Sequence, residues 1–440
     1  MLKILIRSLL LLLMFGLSVK HSFANETLIL SQAAGKLISA ITINGNKKTE
    51  NSIIKRELNF KTGQLLSEES AQESLRKLKN LRIFEDVSME YHQESDDTIH
   101  VHIHVSDQWT IIPIFKAGGG GGSTFYTVGA YDVNSFGKYI EVGAQYQVTN
   151  GQDGGILWFR NPRFMGHRLL VGMDLWHLRL IQPVHDENLD LLGTFNNIKN
   201  RIHFFAKKEL PNSFFAGAGF DYVIDEFDDV GLSEKELSTN QENQFQIPSN
   251  AKHNFIELNF QAGELDYDRY MVEGFQANLD ARITSTKLLS DDNNIEVTLK
   301  NTYFWQFDNE QNIGINVVLG HTTSRLLQNQ FYMGGLQEVR GYVDRQLKGS
   351  DFWRSNIEYR VPSFRSRWLV LQHVAFTDFG EVSESFNHLF SVKSIKFASV
   401  GTGLRFISPK IYRFNARLDV ARTFTGDRDF DVSFGLQQFF

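Results

Sequence analysis

Asp429–Phe440 reads DFDVSFGLQQFF, and its alternation decides the fold. Phe430, Val432, Phe434, Leu436 and Phe440 fall on one face of an extended chain, while Asp429, Asp431, Ser433 and Gln437 fall on the other. Gln438 interrupts the apolar face. The preceding run, Ile411–Ala421, repeats the pattern, with Tyr412, Phe414, Ala416, Leu418 and Val420 opposed to Arg413, Asn415, Arg417 and Asp419. One face suits lipid and the other suits water, which is how a strand of a membrane-spanning barrel reads.

Working back from the end, runs of this kind recur to Trp109. They lie near 110–118, 124–134, 138–149, 152–161, 166–178, 194–207, 213–225, 252–265, 272–285, 293–306, 311–323, 350–361, 366–378, 396–407, 411–423 and 429–440. That makes about sixteen, an even number, as in single-chain bacterial barrels. Tight turns such as Ser135-Phe136-Gly137, Pro162–Met165 and Pro362–Arg365 alternate with long pieces near 179–193, 226–251, 324–349 and 379–395. Short turns at one end and long loops at the other predict an outer-membrane barrel, with the long loops external. A soluble sandwich or propeller would show the same alternation with its polar face outward. Strand length, even count and the terminal aromatic favour the barrel.

The other end of the chain agrees. Residues 1–24 carry Lys3 and Arg7, the apolar run Leu9–Val19, and Ser22-Phe23-Ala24, which is the layout of a cleaved secretory signal. The chain has no cysteine, so disulfides contribute nothing to stability. A net charge of -6 over 440 residues argues against nucleic acid as a partner. Beyond the signal no apolar run reaches the ~18 residues of a membrane helix, and mean hydropathy is -0.26. Thirteen per cent aromatics, with 37 Phe, matches lipid-facing strands with aromatic girdles.

Between a lead-in at 25–36 and the barrel at 108–440, residues 37–106 read as a separate α+β domain. Leu37–Asn44 is a strand, Thr49 and Ser67 are candidate N-caps of two helices, and Phe84–Tyr91 and Thr98–Val105 are two further strands. The order β-α-α-β-β is complete in itself. On the last strand His100, His102 and His104 alternate with apolar residues and share one face. Spacing of i, i+2 splays ligands, so the solvent face of a half-buried strand is expected there and no metal is assigned. The acidic stretch Asp225–Glu242 fits no EF-hand spacing and reads as a surface loop. Gly118–Gly122 lacks the lysine of a phosphate-cradling loop and reads as a barrel hairpin. No elbow motif joins Ser, His and Asp, so no enzyme and no cofactor is expected.

The stretch Phe331–Tyr342, FYMGGLQEVRGY, stands apart. It lies in one of the long connections, and long loops in compact folds usually carry function. Its Gly-Gly pair allows close backbone approach, and Arg340 offers a five-donor fork that suits carboxylates. In the twelfth strand Trp353, Ile357, Tyr359 and Val361 share the apolar face, so Glu358 and Arg360 point into the lumen. Alternation does not orient Asp378.

With these residues in view, the chain resembles the BamA/TamA superfamily of outer-membrane barrels, also called the bacterial surface antigen family. NGN after the first strand and RIFEDV opening the second resemble a POTRA domain, and Val339-Arg340-Gly341-Tyr342 is similar to that family's VRG(F/Y) motif in its sixth external loop. The resemblance implies that Arg340 lies inside the barrel against Glu358 and against Asp378 of Phe376-Thr377-Asp378-Phe379-Gly380. It also implies a terminal β-signal through Phe434, Leu436 and Phe440, and a lateral seam between strands one and sixteen. The departure is the count of POTRA domains: one fits here, where assembly proteins have several and two-partner exporters usually two. The implied function is insertion or translocation of outer-membrane and secreted polypeptides, with outer-membrane lipid and periplasmic accessory proteins as partners. A dedicated exporter and a passive structural barrel are the alternatives.

Overall fold

The computed structural model describes residues 27–268, 270–307, 310–408, 415–425 and 430–436. The signal segment therefore lies outside the described residues, as does Phe440. The chain divides into two compact units, Met1–Thr110 with Phe136–Lys138, and Ile111–Ser135 with Tyr139–Phe440.

The first unit is a four-stranded sheet in the order β1 (Thr27–Leu28), β3 (Phe84–Gln93), β4 (Thr98–Asp107), β2 (Leu37–Asn44). Alternation along β4 buries Ile99, Val101 and Ile103 and leaves the histidines between them on the other face. Helices α1 (Asn51–Arg56) and α2 (Glu68–Asn80) contribute Ile53, Ile54, Ala71 and Leu78 to the buried apolar set. Ser67 caps α2, its hydroxyl accepting from the Ser70 amide. Thr49 is no N-cap, since Glu50 holds that position; its hydroxyl donates instead to Asp107 at 2.5 Å. The lead-in adds β1, which pairs with β3 at Thr27↔His92 and Leu28↔Tyr91.

The second unit is a closed antiparallel barrel of sixteen strands. In chain order they are β5 (Ile111–Gly120), β6 (Ser123–Ser135), β7 (Ile140–Thr149), β8 (Gln152–Asn161), β9 (Leu169–His185), β10 (Leu191–Leu210), β11 (Phe214–Asp228), β12 (Ala251–Asp268), β13 (Met271–Thr284), β14 (Asn294–Gln306) and β15 (Asn312–Thr322). After a long connection come β18 (Asp351–Arg365), β19 (Val370–Ser383), β20 (Ile395–Ile407), β21 (Asn415–Thr423) and β22 (Phe430–Gly435). The barrel is inside-out relative to a soluble fold. Phe115, Phe204, Phe260, Trp305 and Phe434 are exposed, whereas Arg340, Arg360, Arg405 and Arg417 are among the largest fully buried side chains. A soluble sandwich would reverse that distribution.

Two of the expected loops are partly strand. β9 and β10 run on to His185 and from Leu191, so Asp186–Asp190 is all that connects them where a loop over 179–193 is expected. In this extension Val184 and Phe195 face inward onto Phe227 and Ala251, with Phe245 and Leu327 packed against them. The apolar side has changed faces there, which hides the strand from a lipid-facing pattern. In the 226–251 connection the acidic stretch begins as the end of β11, through Asp228, and then forms α3 (Glu234–Glu242). A capping box with Ser233 starts it, and Asn240 ties it to β10 by accepting from the Thr194 amide at 2.7 Å.

Candidate functional site: the inward-folded sixth loop and the strand seam

The connection between β15 and β18 folds back into the barrel. A short ladder, β16 (Phe331–Met333) with β17 (Leu347–Gly349), closes its base, and the one-turn helix α4 (Gly335–Glu338) leads into the arginine. Val339, Tyr342, Met333 and Leu347 pack with Val318, Phe352, Val382 and Phe397 of the wall in one apolar cluster. The Tyr342 hydroxyl accepts from the Ala398 amide at 3.0 Å and bonds to Thr425 Oγ1 at 2.5 Å.

Arg340 is fully buried. Its Nε donates to Asp378 Oδ2 at 2.8 Å and its Nη2 to Asp378 Oδ1 at 2.7 Å, a two-point grip, and its own backbone amide adds a third bond to Oδ2 at 3.0 Å. Nη1 donates to Glu358 Oε1 at 2.5 Å. The guanidinium lies over the Phe376 ring, 3.5 Å from its centre. Phe376 precedes Asp378 by two residues and so shares its face of β19.

Glu358 is shared. Arg360 reaches its Oε2 at 2.8 Å through Nε, and Arg405 reaches its Oε1 at 2.9 Å. Arg405 also holds Asp419 at 2.6 Å, and Arg417 stands 3.9 Å from the same carboxylate. Four guanidiniums (Arg340, Arg360, Arg405, Arg417) thus meet three carboxylates (Glu358, Asp378, Asp419), all of them buried. The sequence places Arg360 and Arg417 on the lumen side, but alternation gives no sign that they join Arg340 in one network. The structure also orients Asp378 inward, which alternation leaves open.

Gly341 has φ +92°, and a Cβ there would stand 3.1 Å from Thr423 Cγ2 and 3.3 Å from Ala421 Cβ. Backbone therefore lies directly on β21, and glycine is required. A second close approach joins the loop to the first strand. Gly121, in the β5–β6 turn, accepts from the Asp344 amide at 2.8 Å, and a Cβ on it would come within 2.5 Å of the Tyr342 carbonyl. The Gly121 amide in turn donates to Asp431 on β22 at 3.1 Å. One turn thus touches loop six and the last strand.

The first and last strands meet along a glycine-lined seam. Among the described residues β22 pairs with β5 at Phe434↔Gly119 and Gly435↔Gly118, and the Leu436 amide donates to the Ala117 carbonyl at 3.0 Å. Phe434 is exposed on the outer surface and Leu436 half-buried.

Across the lumen a second ionic group braces the opposite wall. Arg201 grips Asp221 at 2.6 and 2.7 Å, Arg282 reaches the same carboxylate at 3.2 Å, and His203 lies between Asp174 at 3.3 Å and Glu257 at 3.2 Å. His203, Asp221 and Glu257 bring ligand atoms within 4.8 Å of one another. The two guanidiniums already neutralise Asp221, so this group is an ion-pair brace.

Residues 134–440 match the Omp85 superfamily domain, well over half of the chain. The chain belongs to the Omp85 superfamily. Residues 37–108 match a POTRA module described as a surface antigen variable number repeat. A curated relative, the outer membrane protein assembly factor BamA of Nitratidesulfovibrio vulgaris, is 23% identical over 350 residues, which cover 76% of this chain and 41% of the relative. The Omp85 chain described here thus spans less than half the length of that relative. Among solved structures, BamA from Haemophilus ducreyi lacking POTRA domains 1–3 aligns with TM-score 0.67 and 15% identity over 91% of this chain and 84% of that one. CdiB from Acinetobacter baumannii aligns with TM-score 0.67 and 14% identity over 92% and 74%. Both likenesses are of fold. This Omp85 barrel is an outer-membrane protein of a Gram-negative cell, with its POTRA module in the periplasm.

Proposed function

We propose that this Omp85 protein handles polypeptides at the outer membrane, helping outer-membrane proteins to insert and assemble through a seam that opens between β5 and β22. The observation that carries the reading is the glycine-lined junction of β5 with β22, whose Gly121 turn is held by both loop six and Asp431. Two ladder pairs, at Phe434↔Gly119 and Gly435↔Gly118, join the described parts of β22 and β5. Glycine on the β5 side supplies no side chain to reinforce them. An opened seam presents unpaired N–H and C=O groups, a template on which an incoming strand can form. Loop six supports this arrangement from inside: its Arg340 is anchored on β18 and β19, and its Asp344 holds the turn that leads out of β5.

In this reading the substrates are unfolded outer-membrane or secreted polypeptides, the POTRA sheet receives them, and accessory proteins of the periplasm deliver them. The membrane lipid is the second partner, met by the exposed aromatics of the wall. Arg340, Gly341, Tyr342, Val339, Glu358 and Asp378 act as the tether, and Phe434 with Leu436 and Phe440 as the recognition end of the last strand.

A dedicated exporter is the second reading. It is favoured by a cavity of about 390 Å³ inside the barrel, lined by Lys116, Gln145 and Gln147 of the wall and by Glu338, Asp344 and Arg345 of loop six. A polar lumen filled on one side by a movable loop suits a translocation path.

The test is a disulfide across the seam. The chain has no native cysteine, so a Gly119→Cys, Phe434→Cys pair is unique. Oxidation is expected to abolish assembly of outer-membrane proteins in cells that depend on this chain, and reduction to restore it. A control staple between β9 and β10, at Val171 and Ala206, is expected to be silent. Full activity with the seam locked rules out lateral opening. Loss of secretion of a single partner, with assembly intact, selects the exporter.

A further inference from the structure

The face of the POTRA sheet opposite its helices gathers four histidines from two adjacent strands. His100, His102 and His104 alternate along β4, and His92 on β3 stands directly opposite His100 in the antiparallel register. The ring centres of His92 and His102 are 4.6 Å apart, and those of His100 and His102 are 4.0 Å apart. The third cross-strand imidazole is what three histidines on a single strand lack. Two imidazoles on one tetrahedral ion, with metal–nitrogen bonds of about 2.0–2.1 Å, hold their ring centres on the order of 5 Å apart. The two spacings seen here lie close to that value, and the strand carrying His100 and His102 is fixed from below by Ile99, Val101 and Ile103, all fully buried.

Carboxylate and hydroxyl groups surround the imidazoles. Glu90, paired with His102 in the register, places Oε2 at 3.3 Å from His92 Nε2 and 3.5 Å from His104 Nε2. Thr42 of β2 bonds to His100 Nε2 at 2.7 Å, and Glu94 stands 3.6 Å from His100 Nδ1. Hydroxyl and carboxylate partners of this kind fix the orientation of ligating imidazoles. Among the described residues no hydrogen-bond partner engages either ring nitrogen of His102, which stands at the centre of the trio. Imidazole with carboxylate is a donor set for borderline divalent transition metals.

We propose that His92, His100 and His102, with Glu90 beside them, bind one divalent transition-metal ion of the zinc class on the outer face of the POTRA sheet. The ion clips β3 to β4 across their register. It also places a fixed positive charge on the module that, in the reading above, meets polypeptides. The binding site itself stands independently of that reading.

The experiment uses the full chain in detergent, free of any affinity tag and stripped with a chelator, titrated with zinc chloride in a calorimeter. Uptake of one zinc per chain is expected. His92→Ala and His102→Ala are each expected to weaken it at least about tenfold, while His203→Ala in the barrel leaves it unchanged. Cobalt(II) in place of zinc is expected to give the visible bands of a nitrogen-rich, four-coordinate ion, lost in the same two variants. Retained heat-shifted gel mobility checks that each variant is folded. Absence of saturable zinc uptake overturns the proposal. So does uptake that survives loss of both histidines, or that disappears with His203→Ala and thereby locates the ion in the lumen.

Discussion

Arg340 and its two carboxylates are not equivalent partners. Glu358 keeps Arg360 and Arg405 when Arg340 is removed, but the side-chain contacts drawn to Asp378 come from Arg340 alone among the described bonds. Arg340→Ala therefore leaves one buried carboxylate uncompensated, a loss of about 3–5 kcal/mol. Arg340→Lys keeps a charge but not the two-point grip, and is expected to fall between wild type and Arg340→Ala. Adding Asp378→Asn to Arg340→Ala is expected to recover part of the loss, whereas adding Glu358→Gln deepens it by removing the carboxylate that Arg360 and Arg405 share. Urea unfolding of the refolded barrel, read as a double-mutant cycle, measures all three; equal stability of the Lys and Ala variants refutes the fork argument. Gly341→Ala tests the neighbouring backbone. At φ +92° and with Thr423 at 3.1 Å, the added methyl is expected to cost about 1–3 kcal/mol and to loosen the loop. Faster proteolysis within 331–349 than in wild type is the readout.

At the level of strands, the barrel divides into a braced arc and a glycine-lined seam. Arg201 and Arg282 converge on Asp221, joining β10, β11 and β13, and Glu296 of β14 takes the other side of Arg282 at 3.3 Å. Asp221→Ala leaves the partly exposed Arg201 and Arg282 with Glu257 and Glu296 as their remaining partners and is expected to lower barrel stability by about 1–3 kcal/mol, without altering a seam-dependent activity measured at low temperature. Equal loss of stability and activity argues instead that the whole wall moves together. Strand existence was legible throughout this arc because lipid on one side and charge on the other enforce a two-residue period. Pattern failed where that contrast ends: beyond Leu178 the wall faces folded loops, Val184 and Phe195 turn inward, and the strand reads as a connection. The tether was legible only in part, for a related reason. Glu358 sits in clean alternation, but Asp378 lies on β19, where Val374 and Phe376 are buried beside it and polarity marks neither face. The contact of Gly121 with loop six joins residues more than two hundred apart in sequence, and no local period encodes it.

For the whole molecule, the two units draw on different sources of stability. The POTRA unit is built on an ordinary apolar interior, with Ile38, Ile54, Leu78 and Ile99 fully buried. The barrel is ordered from its lumen, where the fully buried groups are Arg340, Glu358, Asp378 and Arg405, and its apolar surface is left for lipid. Neither interior needs the other's chemistry, so deleting residues 37–106 is expected to leave a barrel that still folds, inserts and shows heat-shifted mobility on a gel. What the deletion removes is the sheet that receives polypeptides in the proposed function. Outer-membrane protein levels in cells carrying only the truncated chain are therefore expected to fall to those of a depleted strain, although the barrel itself persists. A passive structural barrel predicts the opposite, with the truncated chain sufficient and membrane composition unchanged. The truncated chain also separates lumen from module: a conductance that rises in Arg340→Ala to the same degree with and without residues 37–106 assigns the closing of the lumen to loop six alone.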